Sequence, residues 1–396
     1  MKILFITLLL PHPHADHASA FTVLRTIRNL SKRHEIYLVS FVRSEKEREY
    51  ARYIEPYCTR VETVLLAQNN FRKFRARANL FTLIPLAVSN SYSREMRDRI
   101  NSIVTKDRFD VVQFEYTPMG QYVSEIRDVP AVINVHDMIS VTAKNFVENL
   151  SLSRKKLEWY ADSLVSSRYE AKLYERFDRV IAISDKVKEH LLKCNPSLNV
   201  SVIPPGVDIP DIPKIHSSGK GSKLIFMGAM WRYENINAVL YFYHSVFALI
   251  RKAVPEATLC IVGGSPSEEI KKLSTDPAVK ITGYVDDILP YYLESDISIA
   301  PMRMGGGVQC KILDAMASGL PVVTTTQGNE GICATHNKEI LVADAPEVFA
   351  NYTIELIKDS GLRKTISEGG VSFVRNNFGW DQIIDRLEVV YNECLL

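Results

Sequence analysis

The sequence predicts an α/β protein built from two doubly wound domains, each a parallel sheet covered by helices. Three observations carry this expectation. Short β-rich runs alternate with amphipathic helical stretches along most of the 396 residues, as parallel strands with helical crossovers do. The alternation breaks once, in a stretch of Pro, Gly and Ser from Pro204-Pro-Gly-Val-Asp208 through Gly221, where regular structure cannot persist. The chain then closes on a helical run over 380–394, set off by Phe378-Gly-Trp380. A length of 396 residues accommodates two domains of about 100–200 residues each. The expected division is 1–205 for the first domain, 206–222 for a linker, 223–377 for the second domain and 378–396 for the closing helix.

Taken in order, strands are expected over 2–10, 36–41, 61–66, 111–114, 131–135 and 180–183, with helices such as 20–32 and 155–177 between them. A short run at 200–203 leads into the linker. The second series is 223–227, 257–262, 279–282, 297–300, 322–324 and 340–342. The apolar opening, Met1 to Leu10, reads as a first buried strand. It lacks the small-residue cleavage site of a signal peptide, and Pro11-His-Pro-His-Ala-Asp-His17 follows at once. No apolar run approaches the roughly 20 residues needed to cross a bilayer.

Charge is uneven along the chain. Residues 1–200 hold 31 Lys and Arg against 23 Asp and Glu, net +8, and the remainder holds 17 against 23, net −6. This fits either a plain drift of charge or a first domain that meets an anionic acceptor or membrane surface. The six cysteines are scattered, with no Cys-x-x-Cys pair. Reduced thiols in a cytoplasmic setting are therefore expected, rather than a zinc site or a disulfide framework.

The run Pro301-Met-Arg-Met-Gly-Gly-Gly-Val-Gln-Cys-Lys-Ile-Leu-Asp-Ala-Met-Ala-Ser-Gly-Leu-Pro-Val-Val323 carries the chemistry. An apolar strand stops at Pro301, Gly305, Gly306 and Gly307 follow, and a helix is expected to open near Val308. Glycines let backbone amides approach a ligand, and a helix N-terminus adds the positive end of its dipole. That combination seats phosphate. Arg303 and Lys311 supply two cations, and Asp314, sharing roughly one helix face with Lys311, offers a carboxylate for a ribose diol. The pattern reads as a nucleotide-diphosphate site. Packing alone also produces Gly-rich strand-to-helix turns, and Lys311 with Asp314 also reads as a surface pair.

This stretch resembles the nucleotide-sugar signature of family-4 (group 1) retaining glycosyltransferases, which ends in Lys-x-Leu-Glu-Ala-Met-Ala-x-Gly-x-Pro-Val-Val. Here Asp314 stands for the Glu, and Gly306 stands where the family often carries an earlier Glu. The resemblance covers nearly the whole chain. It implies the two-lobed GT-B architecture, with two Rossmann-like domains facing a cleft and the last helix crossing back onto the first. It also implies that Gly228 and Arg232, in Ile225-Phe-Met-Gly-Ala-Met-Trp-Arg232, serve the donor phosphates. Cys260-Ile-Val-Gly-Gly264 and Tyr284-Val-Asp-Asp287 resemble loops that frame the base. Asp286-Asp287 is no Asp-x-Asp metal motif and suits a helix N-cap. Gln327-Gly-Asn-Glu-Gly-Ile332 resembles the family's Gly-x-Glu-Gly loop, which implies that Glu330 meets the sugar or orients Arg303; a solvated surface Glu is the other reading.

In the first domain His136 follows the strand at 131–135, at the edge where open α/β sheets bind ligands. The resemblance places such a His near the donor sugar. Glu115 ends the preceding strand and is a candidate for acceptor or sugar hydroxyls. Asp16 and Ser19 lie on the first loop, where the family has a Gly-Gly pair, as helix caps or acceptor contacts. His12, His14 and His17 lack a clear further metal-ligand set. The run from Asn70 to Phe81 interleaves cations and aromatics, suiting an anionic membrane surface, a lipid-linked acceptor or a solvated helix face. Nucleic acid fits poorly.

The expectation is thus a retaining, metal-independent hexosyltransferase-like enzyme that needs no cofactor. Its partners are a nucleotide-sugar donor and a glycan or lipid-linked acceptor of cell-surface polysaccharide or glycoconjugate synthesis. It would sit in the cytoplasm or at the inner membrane surface. The alternative is a non-catalytic GT-B protein that binds a nucleotide sugar or partners an active transferase.

Overall fold

The computed structural model describes residues 1–15, 17–66, 83–149, 154–210, 222–304 and 307–395. Asp16, Gly305, Gly306, the cation-and-aromatic run at 70–81 and most of the expected linker lie outside the described residues. The chain divides into two compact units, Met1–Gly206 with Ile383–Leu396, and Val207–Gln382.

The first unit is built on β1 (Lys2–Thr7), β2 (Glu35–Val42), β3 (Arg60–Leu65), β4 (Val111–Glu115), β5 (Ala131–Val135), β6 (Arg179–Ala182) and β7 (Val200–Val202). They form a seven-stranded sheet in the order β3-β2-β1-β4-β5-β6-β7, and every pairing is parallel. Both faces are covered: Ile3 and Phe5 on one side of β1, and Leu4 and Ile6 on the other, are fully buried. β1 ends at Thr7 rather than at Leu10, because its register mate Glu115 is the last residue of β4. Strand order reverses between β1 and β4, which opens a crevice at the strands' C-terminal ends.

Helix α1 (Ala18–Leu30) follows β1, while α2 (Ile139–Asn149) and α3 (Arg154–Tyr174) follow β5. α3 turns polar residues inward. Asp162, Ser166 and Glu170 are buried, whereas Leu157, Tyr160 and Leu164 are exposed. Glu170 accepts from the Ile139 and Ser140 amides at 2.7 and 3.2 Å, capping the start of α2. Burial nevertheless raises its pKa above the usual carboxylate range.

The second unit repeats the design with β8 (Lys223–Met227), β9 (Thr258–Val262), β10 (Val279–Ile281), β11 (Ile297–Ala300), β12 (Val322–Thr324) and β13 (Leu341–Val342). The six strands run in the order β10-β9-β8-β11-β12-β13. Alternate residues feed two cores: Leu224, Phe226, Leu259 and Ile261 face one, and Ile225, Met227, Val262 and Ala300 face the other. Helix α4 (Tyr233–Tyr241) follows β8, and α5 (Cys310–Ala317) follows β11. Here too the order reverses between the first strand and its later neighbour, at β8 and β11.

The last helix, α6 (Trp380–Leu395), belongs to the first unit from Ile383 onward. Arg33 reaches Asp385 at 2.7 Å and Glu388 at 3.2 Å, His34 meets Glu388 at 2.8 Å, and Arg179 meets Glu393 at 3.0 Å. Among the described residues no helix is long and apolar enough to cross a membrane.

Candidate active site

In the second unit the chemistry gathers at the strand-order reversal. β8 runs into Gly228, whose amide donates to Val262 at 3.0 Å and whose carbonyl lies against Gly263. A Cβ on Gly263 would fall 1.7 Å from that carbonyl oxygen, and its φ of +151° is one that side chains rarely adopt. A Cβ on Gly228 would come within 2.8 Å of the Asn235 amide nitrogen. Both glycines are therefore required by close approach.

Asn235, buried on α4, joins this turn to the helix after β11. Its Nδ2 donates to the Ala229 carbonyl at 2.9 Å, and its Oδ1 accepts from Lys311 Nζ. The ammonium also lies 3.6 Å from the Met302 sulfur and 5.0 Å from the Phe226 ring centroid. Burial among these groups lowers the Lys311 pKa to about 7, with Glu234 opposing the shift and Arg232 adding to it. This half-buried lysine thus has the Asn235 carbonyl oxygen and the weaker Met302 sulfur as hydrogen-bond acceptors, and no carboxylate is among them. Arg303 is exposed, and its guanidinium stacks 4.8 Å over the Tyr241 ring.

α5 opens at Cys310, two residues later than expected. Gly307 has φ +81° and Gln309 has ψ +88°, so neither continues a helix backward. Val308 packs its side chain on the core. Asp314 lies on α5 one turn beyond Lys311 and is half-buried, with its carbonyl accepting from Ser318. Gly331 approaches Gly307 so closely that a Cβ there would sit 2.6 Å from the Gly307 carbonyl carbon. Glu330 is exposed and accepts from Gln327 at 2.7 Å. Arg232 is the N-cap of α4 and pairs with Glu234 at 2.5 Å.

In the first unit β4 and β5 bring a second cluster to the matching edge. Glu115 is fully buried. It accepts from His136 Nε2 at 2.6 Å, Asn134 Nδ2 at 3.1 Å and Gln113 Nε2 at 2.5 Å. Both oxygens of Glu115 are thus engaged inside the protein, one of them by His136. Tyr116 stacks on the His136 ring at 4.6 Å and carries φ +74°, a strained backbone for a bulky residue. Its buried phenol interacts with the Ser19 side chain, while Asn134 Oδ1 is buried with no hydrogen-bond partner among the described residues. Ser19 lies in the first turn of α1, whose N-cap is His17 with no side-chain cap bond. Beside this loop His12, His14, Arg43, Lys46, Glu47 and Tyr50 line a cavity of about 330 Å³. His12 faces Glu47 at 3.9 Å and His14 meets Tyr53 at 3.2 Å.

Comparison with known proteins gives the family and the fold. The family model for group 1 glycosyl transferases matches residues 221–359, and that for glycosyltransferase family 4 matches residues 20–210. The chain belongs to the family-4 (group 1) glycosyltransferases of the GT-B fold. It is 24% identical over 395 residues to an uncharacterized 44.6 kDa protein in the cps region of Klebsiella pneumoniae, covering 95% of this chain and 96% of that one. It is 26% identical over 217 residues to the GDP-mannose-dependent alpha-(1-6)-phosphatidylinositol monomannoside mannosyltransferase of Mycobacterium tuberculosis, spanning 48% of this chain and 55% of that protein. The solved structure of HepE from Anabaena, in complex with UDP and glucose, matches with TM-score 0.65 at 15% identity over 99% of this chain and 100% of that one.

Within this glycosyltransferase, the geometry brings together Gly228 and Lys311 in one unit, and Glu115 and His136 in the other. Sequence reasoning missed Asn235, Tyr241 and Gln113. A polar residue on the inward face of an amphipathic helix was the only signal available for Asn235. Asp287, expected near a helix N-terminus, accepts from the Leu289 amide at 3.0 Å as the helix Leu289–Glu294 begins.

Proposed function

We propose that this glycosyltransferase moves a sugar, with retention of configuration, from a nucleotide-diphosphate sugar to a glycan or lipid-linked acceptor in cell-surface polysaccharide or glycoconjugate synthesis. The observation that carries the reading is Lys311, a desolvated cation tied through Asn235 to the turn where Gly228 meets Gly263. Together with Arg303 and the amides at 307 and 308, it stabilises the departing diphosphate as charge develops. A bound diphosphate restores full charge to Lys311, because opposite charge favours the ammonium. Asp314 accepts from the ribose diol, and His136 positions the sugar. Gly228, Arg232 and Glu330 complete the donor contacts.

Two of the proteins it resembles support a nucleotide donor: HepE was solved with UDP and glucose, and the mycobacterial relative depends on GDP-mannose. That relative acts on a phosphatidylinositol mannoside, which supports a lipid-linked acceptor. The cavity beside the first loop, with Arg43 and Lys46 on its wall, suits an anionic head group. Contact with an anionic membrane face is part of the reading. Leu157, Tyr160 and Leu164 project outward from α3, with exposed Arg168 and Lys172 further along the helix. The reaction is proposed to proceed in the cytoplasm without a divalent metal, the two cations standing where one would act.

The deciding experiment incubates the purified protein with UDP- and GDP-sugars and a membrane extract. It measures nucleoside diphosphate release and the anomeric configuration of the product. Release that persists in excess EDTA, with retention, is expected. Loss in EDTA that is restored by Mg²⁺ or Mn²⁺ would overturn metal independence. Nucleotide binding with no transfer to any acceptor would favour the non-catalytic reading.

A further inference from the structure

We propose that Tyr391, on the last helix, is a positioning residue for His136 and acts through Gln113 and Glu115. The four side chains form one buried, directional line. Tyr391 OH donates to Gln113 Oε1, Gln113 Nε2 donates to Glu115 Oε1 at 2.5 Å, and Glu115 Oε2 accepts from His136 Nε2 at 2.6 Å. Gln113 and Tyr391 are fully buried, and Glu115 and His136 nearly so.

The direction of every bond follows from its end point. A carboxylate only accepts, so the Gln113 amide must turn its NH₂ toward Glu115 and its carbonyl toward Tyr391. The phenol must then donate. At the other end His136 must carry a hydrogen on Nε2, which turns Nδ1 away from Glu115. Gln113 and Glu115 stand two apart on β4 and share a face, which is how the strand passes the constraint along. Tyr391 reaches this face because Arg33, His34 and Arg179 pin α6 at Asp385, Glu388 and Glu393. With phenylalanine at 391, the Gln113 carbonyl loses its donor among the described residues. The amide is then free to turn, and Glu115 loses one of three donors.

The test uses Tyr391→Phe, Gln113→Leu and the double variant in the full chain. Long-range ¹H–¹⁵N spectra of histidine-labelled protein, with His136 assigned by its loss in His136→Gln, report the ring tautomer directly. The Nε2–H tautomer is expected to dominate in the parent and to lose population in both single variants. Turnover, which rests on the transfer reading above, is expected to fall about 3- to 30-fold in kcat in each single variant, with the donor KM within about twofold. The double variant should be no worse than Gln113→Leu alone, since both break one line. An unchanged His136 ring signature in folded Tyr391→Phe overturns the proposal, as do effects that multiply in the double variant. Should the parent show no transfer, the transfer reading fails while the ring spectra still decide the relay.

Discussion

Replacing Lys311 with Met should make the protein more stable and worse at holding a nucleoside diphosphate. Burial lowers the Lys311 pKa from 10.5 to about 7. At about 1.4 kcal/mol per pH unit, keeping this side chain in its site sets a ceiling of about 5 kcal/mol against folding near pH 7. Removing the ammonium leaves Asn235 Oδ1 without its donor, which costs about 1–3 kcal/mol. The net expectation is a gain of about 2 kcal/mol for Lys311→Met at pH 7, measured by urea unfolding without nucleotide. The pH dependence is diagnostic. Between about 7 and 10.5 the unfolded chain binds the proton and the folded chain does not, so the parent's stability rises with pH relative to the variant. The advantage of Lys311→Met should be constant below about pH 7 and shrink by up to about 1.4 kcal/mol per unit above it. Titration calorimetry with UDP and GDP should show affinity reduced about 10- to 100-fold, the loss of one charge-assisted contact. A stability difference that stays flat from pH 6 to 9 would refute the buried-cation argument. Unchanged nucleotide affinity would refute the diphosphate assignment.

The same titration governs binding in the parent. Diphosphate affinity should be level below about pH 7 and fall toward tenfold per pH unit above it, because the proton must then be taken up on binding; a flat profile to pH 9 would contradict this. Arg303→Ala, at an exposed stacked site, should weaken nucleotide binding about 5- to 50-fold while shifting the urea midpoint very little. Gly263→Ala forces both a disfavoured φ and a collision with the Gly228 carbonyl, so it should destabilise by more than about 3 kcal/mol; an unchanged midpoint would show that the turn yields. Changing Leu157, Tyr160 and Leu164 together to Ser should leave folding intact and cut sedimentation with phosphatidylglycerol vesicles at least fivefold. Equal sedimentation of parent and variant would remove α3 from the membrane reading.

Much of the secondary structure was legible in the sequence. The strands Ala131–Val135, Lys223–Met227, Ile297–Ala300 and Val322–Thr324 match the expected runs end for end, because each is a β-rich run stopped by a breaker or a polar turn. Ends were less legible where a partner decided them. β1 stops where β4 stops, and α5 starts where the Gly307 to Gln309 backbone can first turn helical. Candidate site residues were legible wherever a local pattern marked them, as the glycines and Lys311 were. Asn235, Tyr241, Gln113 and Tyr391 carry no such mark, for their parts depend on groups far away in the chain. Glu115 shows the same dependence: its place at a strand end was legible, but not that Asn134 and His136 from the next strand donate to it.

By itself, then, the sequence determined two alternating α/β series, the break between them and the glycine-rich strand-to-helix run that carries Arg303 and Lys311, because periodicity, turn chemistry and short spacings are local. Only the tertiary structure decided how charge and tautomer are set. Lys311 has its pKa lowered because α4 and β8 bring Asn235 and Phe226 around it. His136 takes one tautomer because β4 and a tyrosine 278 residues from Gln113 line up behind it. Desolvation and hydrogen-bond direction arise only when distant segments meet, and no local pattern encodes them.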